Sequence, residues 1–124
     1  MKEIKLQTTI RLAQSEELSE EDRLLVQRAI EATASSYSPY SHFAVGAALR
    51  LTDGTIVIGS NQENAAFPSG LCAERTAIFA AGATHPDQAV TTLAIAARNE
   101  AGLTAEPASP CGACRQGILA GEQR

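Results

Sequence analysis

Cys72-Ala73-Glu74-Arg75-Thr76-Ala77 and Ser109-Pro110-Cys111-Gly112-Ala113-Cys114-Arg115-Gln116 are the two stretches on which the reading of this chain turns. Between them they hold all three of its cysteines. Pro110 stands where helices commonly start, because the N–H it lacks is one that a first turn leaves unpaired anyway. The pattern predicts a helix over Cys111 to Leu119, and Cys111 and Cys114, three apart, then share one face. Cys72 opens a second, alanine-rich helix running to Ala81. The positive end of each helix favours the thiolate that a metal needs. Three thiolates from two helix starts can close around one tetrahedral zinc and leave its fourth corner open, which is the catalytic arrangement, four protein ligands being the structural one. Glu74, two residues past Cys72, falls near that metal without binding it. A carboxylate placed there can take a proton from an activated water and deliver it elsewhere.

A Cys-x-x-Cys pair alone also fits a redox couple or half of a structural site. A structural site needs a fourth ligand, and the chain has two histidines, His42 and His85. His85, before Pro86, reads as a surface loop residue; His42, just before a strand, reads as local packing or solvent-exposed.

The remaining composition narrows the class. The chain has 124 residues, 44% hydrophobic and 19% charged, enough for one domain over residues 1–124 with a single core. The net charge of −4 and the absence of a basic run argue against a nucleic-acid partner, which needs cations to neutralise phosphates. No apolar run approaches the roughly 20 residues of a membrane span, and Met1 to Lys5 lacks the apolar core of a signal peptide. A cytoplasmic location with no membrane partner is expected, a setting in which cysteines serve metals or redox chemistry more often than disulfides.

Outward from the cysteines, the hydrophobic periods predict alternating elements. Ile4, Leu6, Thr8, Ile10 and Leu12 alternate with polar residues and predict a half-buried strand. Ser19 followed by Glu20, Glu21 and Asp22 predicts a capped helix start, and the helix fades near Ser35-Ser36 because Tyr37-Ser38-Pro39 disfavours it. Phe43 to Leu51 reads as a strand with Val45, Ala47, Leu49 and Leu51 on one face. Asp53-Gly54 turns it into a partner over Thr55 to Gly59. Thr91 to Ala97 is a further strand with Leu93 and Ile95 in the core, and Asn99 to Ser109 a loop. The fold class is α/β, a mixed sheet flanked by helices.

The residues also carry a resemblance. The chain resembles the small, three-cysteine class of the cytidine deaminase family. It shares Tyr37-Ser38-Pro39-Tyr40-Ser41-His42-Phe43 leading into Val45-Gly46-Ala47-Ala48, Gly59-Ser60-Asn61-Gln62-Glu63-Asn64-Ala65-Ala66, and both cysteine stretches, in that order. The zinc-deaminase pattern of a ligand, one residue, Glu and a later Pro-Cys-x-x-Cys is met by Cys72, Glu74 and Pro110 to Cys114.

The resemblance implies a zinc-dependent hydrolysis of cytidine and deoxycytidine to uridine and deoxyuridine with loss of ammonia, a step of pyrimidine salvage. Cys72, Cys111 and Cys114 would bind Zn²⁺ and Glu74 would shuttle protons. Asn61 and Glu63 would hold the ribose hydroxyls, and Phe43 would wall the pyrimidine. The backbone N–H of Ala73 and carbonyl of Ser109 would address the base and the leaving amine. Arg75 and Arg115 would offset the charge of three thiolates. Taken alone, Glu63 fits a polar loop, Phe43 a core aromatic and Arg75 a surface charge.

The resemblance further implies a homotetramer acting on a small nucleoside. It also implies strands beyond the second cysteine helix that this sequence apparently lacks, so Thr91 to Ala97 is expected to leave a sheet edge open. A deaminase of another cytosine nucleoside and a zinc-stabilised assembly module are the competing readings.

Overall fold

The computed structural model describes residues 1–105 and 107–123. α1 (Glu20–Ala32) starts at Ser19, whose hydroxyl accepts the Asp22 N–H at 3.2 Å, and its first turn carries Glu20, Glu21 and Asp22 against the helix dipole. The guanidinium of Arg50 reaches back to the Asp22 carboxylate at 3.5 Å and ties this helix start to the sheet.

β1 (Ala44–Leu51) and β2 (Ile56–Ser60) form the hairpin that Asp53-Gly54 predicts, with Gly54 at φ +88°. β3 (Val90–Asn99) lies on the other side of β1, from Ala44 opposite Arg98 to Leu51 opposite Val90. The segment expected to be a plain loop after Asn99 contains a two-residue β4 (Gly102–Leu103), paired with Arg98 and Asn99. The sheet order is β2-β1-β3-β4. The α/β architecture of a sheet flanked by helices holds, but the sheet expected to be mixed has three antiparallel ladders. Among the described residues parallel pairing is confined to an isolated bridge between Tyr37 and Gln62.

α2 (Ala73–Thr84) and α3 (Gly112–Glu122) cover one face of the sheet, and α1 covers the other. Alternation along β1 sorts the core accordingly. Ala47, Leu49 and Leu51 pack against Ala73, Ala77, Ile78 and Ala81 of α2, while Ala48 packs against Leu25 and Ala29 of α1. Leu93 joins the α2 side; Ile95, expected in the core, is half-buried.

The strand expected over Ile4 to Leu12 is absent. Residues 1–14 form neither helix nor strand and are exposed throughout. A strand is stabilised by the ladder it joins, and here no described strand pairs with it.

Glycine permits both helix contacts. A Cβ at Gly46 would lie 2.1 Å from the Ala29 carbonyl oxygen, and one at Gly59 would lie 2.5 Å from the Ala77 N and 2.7 Å from the Ala73 carbonyl oxygen. Backbone cannot yield as a side chain can. Gly59→Ala should therefore cost about 3 kcal/mol in urea unfolding. Gly54→Ala meets no neighbouring atom and should cost about 1 kcal/mol, from its positive φ alone.

Candidate metal centre and cleft

Beyond β2 the chain continues extended between two neighbours. Gln62 and Leu71 exchange both backbone hydrogen bonds at 2.9 Å, and on the other side Tyr37 N–H donates to the Asn61 carbonyl at 3.0 Å while Glu63 N–H donates to the Tyr37 carbonyl at 2.8 Å. This pairing sets Asn61 to Glu63 beside Leu71, and hence beside Cys72. Together they line a cleft of about 710 Å³, shared with Tyr40, Phe67 and Arg75.

Two cleft side chains are already largely engaged. The Asn61 Oδ1 accepts from the Ser36 hydroxyl and, at 2.9 Å, from the Val45 N–H, and its Nδ2 donates to the Phe43 carbonyl at 2.9 Å. An amide has two donor hydrogens, so one remains. The Glu63 Oε1 accepts from the Tyr40 and Ser41 N–H groups at 2.9 and 3.1 Å, and its Oε2 from the Ser41 hydroxyl. Those bonds, that from the Ser41 side chain foremost, hold the Glu63 carboxyl below its ordinary range. With a lowered value the tether is complete at neutral pH and is lost as pH falls through the folded-state pKa. The turn so held contains His42 at φ 55°, an unusual conformation for a residue with a side chain. Ser36, Tyr40 and Ser41 are the partners that sequence reasoning missed. Local pattern does not give the pairing, because these residues precede β1 while Asn61 and Glu63 follow β2.

The cysteines converge. Cys72 is the N-cap of α2 and Cys111 the N-cap of α3, so each stands just before its helix instead of inside it. Their Sγ atoms and that of Cys114 all lie within 4.8 Å of one another, with Cys111 and Cys114 at 3.3 Å. Sulfurs at about 2.3 Å from a tetrahedral zinc stand about 3.8 Å apart, so the trio fits that ion with little adjustment. Cys114 is fully buried, whereas Cys111 is exposed and accepts the Cys114 N–H. That N–H, followed by the Cys114 thiol, lowers Cys111 to about 7. Burial, followed by Cys111, raises Cys114 to about 12. The exposed sulfur at the helix start thus takes negative charge first.

Arg75 closes the inner side. Its Nη2 donates to the Cys72 Sγ at 3.3 Å, and the Cys72 and Cys114 sulfurs hold its guanidinium charged more firmly than in water. Its Nε is buried with no hydrogen-bond partner among the described residues. Glu74 is 5% exposed, on the turn of α2 that Gly59 admits. Its charge helps keep the Cys114 proton on. Ala73 is buried at the first helical position, where a backbone N–H has no intrahelical acceptor.

Three expected residues are exposed on the single chain. Phe43 is 39% exposed and lines a shallow depression with Ser41, His42 and Asn99, outside the cleft that Cys72 borders. Ser109 is exposed before the Cys111 cap. Arg115 is exposed on α3, and the thiol hydrogen bond belongs to Arg75.

Three clustered thiols from two helix caps, beside a buried carboxylate, define a zinc-binding α/β protein. Residues 19–122 match the family described as the cytidine and deoxycytidylate deaminase zinc-binding region. The chain is 44% identical over 94 residues to a cytidine deaminase of Halalkalibacterium halodurans, an alignment covering 76% of this chain and 67% of that protein. It is 46% identical over 94 residues to one from Sporosarcina psychrophila, covering 76% and 65%. A crystal structure of cytidine deaminase from Mycobacterium tuberculosis superposes with a TM-score of 0.71 at 35% identity, covering 83% of this chain and 79% of that one. One from Burkholderia pseudomallei gives 0.69 at 38%, covering 82% and 76%. The chain belongs to the cytidine and deoxycytidylate deaminase zinc-binding family. It spans about two thirds of the length of the curated relatives it matches.

Zinc is the cofactor of that family, and Cys72, Cys111 and Cys114 are the cluster that would hold it. Arg75→Gln should leave the helices formed and lower zinc affinity about 10- to 100-fold, read by competition with a chelating indicator.

Proposed function

We propose that this protein hydrolyses cytidine and deoxycytidine to uridine and deoxyuridine, releasing ammonia. The observation that carries the reading is the buried Glu74 carboxylate on the turn that follows Cys72, beside three sulfurs that fit one zinc. Bound zinc supplies Lewis-acid chemistry that makes a water acidic at neutral pH.

Glu74 takes a proton from the attacking water and gives it to N3 of the base. It then takes the proton of the hydroxyl now on C4 and passes it to the amine there. The water oxygen is thereby retained at C4, the C4–N bond breaks, and ammonia leaves. Burial suits Glu74 to this traffic, since bulk water does not compete for its proton. The Ala73 N–H, unpaired at the helix start, is the donor proposed for the base carbonyl, and the Ser109 carbonyl the acceptor for the departing amine. Arg75, with Arg115 at longer range, offsets the thiolate charge.

The residual hydrogen-bonding capacity of the cleft suits a sugar. Asn61 keeps one amide donor and Glu63 one lone-pair site on Oε2. A hydroxyl that accepts from the first and donates to the second satisfies both. Phe43 is proposed to wall the pyrimidine, from the rim of this single chain. The working form is proposed to be a cytoplasmic homotetramer, in which neighbouring copies complete the open side of the cleft. Among the described residues no helix is long and apolar enough to cross a membrane.

Glu74→Gln should retain one zinc per chain and lower cytidine turnover by about 10²–10⁴-fold. Glu63→Gln should raise KM for cytidine about tenfold with a smaller change in kcat, the loss of about 1.4 kcal/mol of binding. Turnover by Glu74→Gln at the unsubstituted rate would overturn the assignment of the reaction to this site.

A further inference from the structure

Asn61 and Glu63 stand two apart and both line the cleft, and between them they grip the peptide groups of one residue, Phe43. The Asn61 Nδ2 donates to the Phe43 carbonyl at 2.9 Å. The Phe43 N–H donates to the Ser41 hydroxyl oxygen at 3.1 Å, and that hydroxyl donates in turn to the Glu63 Oε2. A hydroxyl has a single hydrogen, so the order of the chain is fixed, from Phe43 through Ser41 to Glu63. Hydrogen bonds linked in this way strengthen one another.

The two oxygens of Glu63 are held differently. Oε1 accepts two backbone N–H groups, from Tyr40 at 2.9 Å and Ser41 at 3.1 Å. Both bonds converge on one atom, which fixes that atom and leaves the carboxylate plane free to turn about it. Among the described residues, Oε2 accepts from the Ser41 hydroxyl only, and this bond sets the plane. Oε2 is also the oxygen with a lone-pair site left for a ligand. Glu63 is partly exposed on a long side chain, so any freedom left to it would have to be given up on binding.

We propose that Ser41 is a positioning residue for the sugar: it sets the Glu63 carboxylate so that Oε2 meets one sugar hydroxyl. The inference rests on the sugar role proposed above for Glu63 and deepens it. Ser41 acts through Glu63 and not on the substrate. Serine suits the post, because its hydroxyl accepts the N–H two residues on and keeps its hydrogen for the carboxylate. The turn around it is prepared for this. The His42 N–H closes on the Ser38 carbonyl at 3.0 Å, and His42 takes φ 55°. Such a conformation persists where its surroundings impose it, and the bonds from Ser41 to Glu63 and from Asn61 to Phe43 brace it on either side.

Deoxyuridine and 2′,3′-dideoxyuridine differ by one hydroxyl, and as products of the proposed reaction they bind without turning over. Calorimetric titration of each onto the zinc-loaded chain therefore tests Ser41 independently of catalysis. The unsubstituted protein should bind deoxyuridine about tenfold more tightly than the dideoxy compound. Ser41→Ala should weaken deoxyuridine about five- to tenfold and leave the dideoxy compound within about twofold, with zinc content and far-ultraviolet circular dichroism unchanged. Ser41→Thr, which keeps the hydroxyl, should recover most of that loss. Equal weakening of both ligands would overturn the proposal, since it reports a general loosening of the turn. So would a Ser41→Thr protein no better than Ser41→Ala. Glu63→Gln separates the two readings. If it closes the gap between the ligands while Ser41→Ala leaves the gap intact, the sugar role of Glu63 stands and the proposal is overturned. If neither closes it, the sugar role fails and takes the proposal with it.

Discussion

The contact at Gly59 governs the placement of the chemistry. The first turns of α2 lie on β2 with no room for a methyl group, and the atoms they press there are the Ala73 carbonyl and the Ala77 N. That is the turn carrying Glu74, immediately after Cys72. A side chain on β2 at this point would lift the helix start from the sheet, and the Glu74 carboxylate and one metal ligand would move with it. Gly46 does the same for α1 on the opposite face, so the sheet is gripped at one level from both sides.

From that placement the metal site assembles with few further demands. Cys72 and Cys111 precede two helices packed side by side; the Cys111 sulfur accepts the Cys114 N–H of its own helix, whereas the Cys72 sulfur accepts no N–H of α2 and takes the Arg75 guanidinium instead. Two positive helix ends and the Arg75 guanidinium then face three sulfurs. A trianionic thiolate cluster binds a dication strongly but would leave it a poor acid, and these fixed positive charges oppose that loss.

The cleft is joined to the metal by backbone. The paired hydrogen bonds between Gln62 and Leu71 fix the distance from Glu63 to Cys72 without any side chain. Asn61 and Glu63 spend most of their hydrogen-bonding capacity bracing the Ser36 to Phe43 turn. A substitution at either therefore acts on the loop as well as on a ligand, and the conservative Glu63→Gln change separates those effects better than truncation.

The sequence by itself determined the helices, the Asp53-Gly54 hairpin, the three-cysteine donor set and the carboxylate beside it, because capping, period and spacing are local properties. It also determined family membership through four ordered motifs. What it left to the tertiary structure was everything that depends on a partner far along the chain. The alternation of Ile4 to Leu12 is a strand's pattern, yet a strand needs a neighbour, and none stands there among the described residues. The antiparallel course of β3 beside β1 followed from how α2 returns the chain, which no residue of β3 announces. Arg75 reaches the sulfurs while Arg115 remains exposed, although both follow a cysteine ligand in sequence. The difference is that Arg75 lies between α2 and α3, and only packing creates a between.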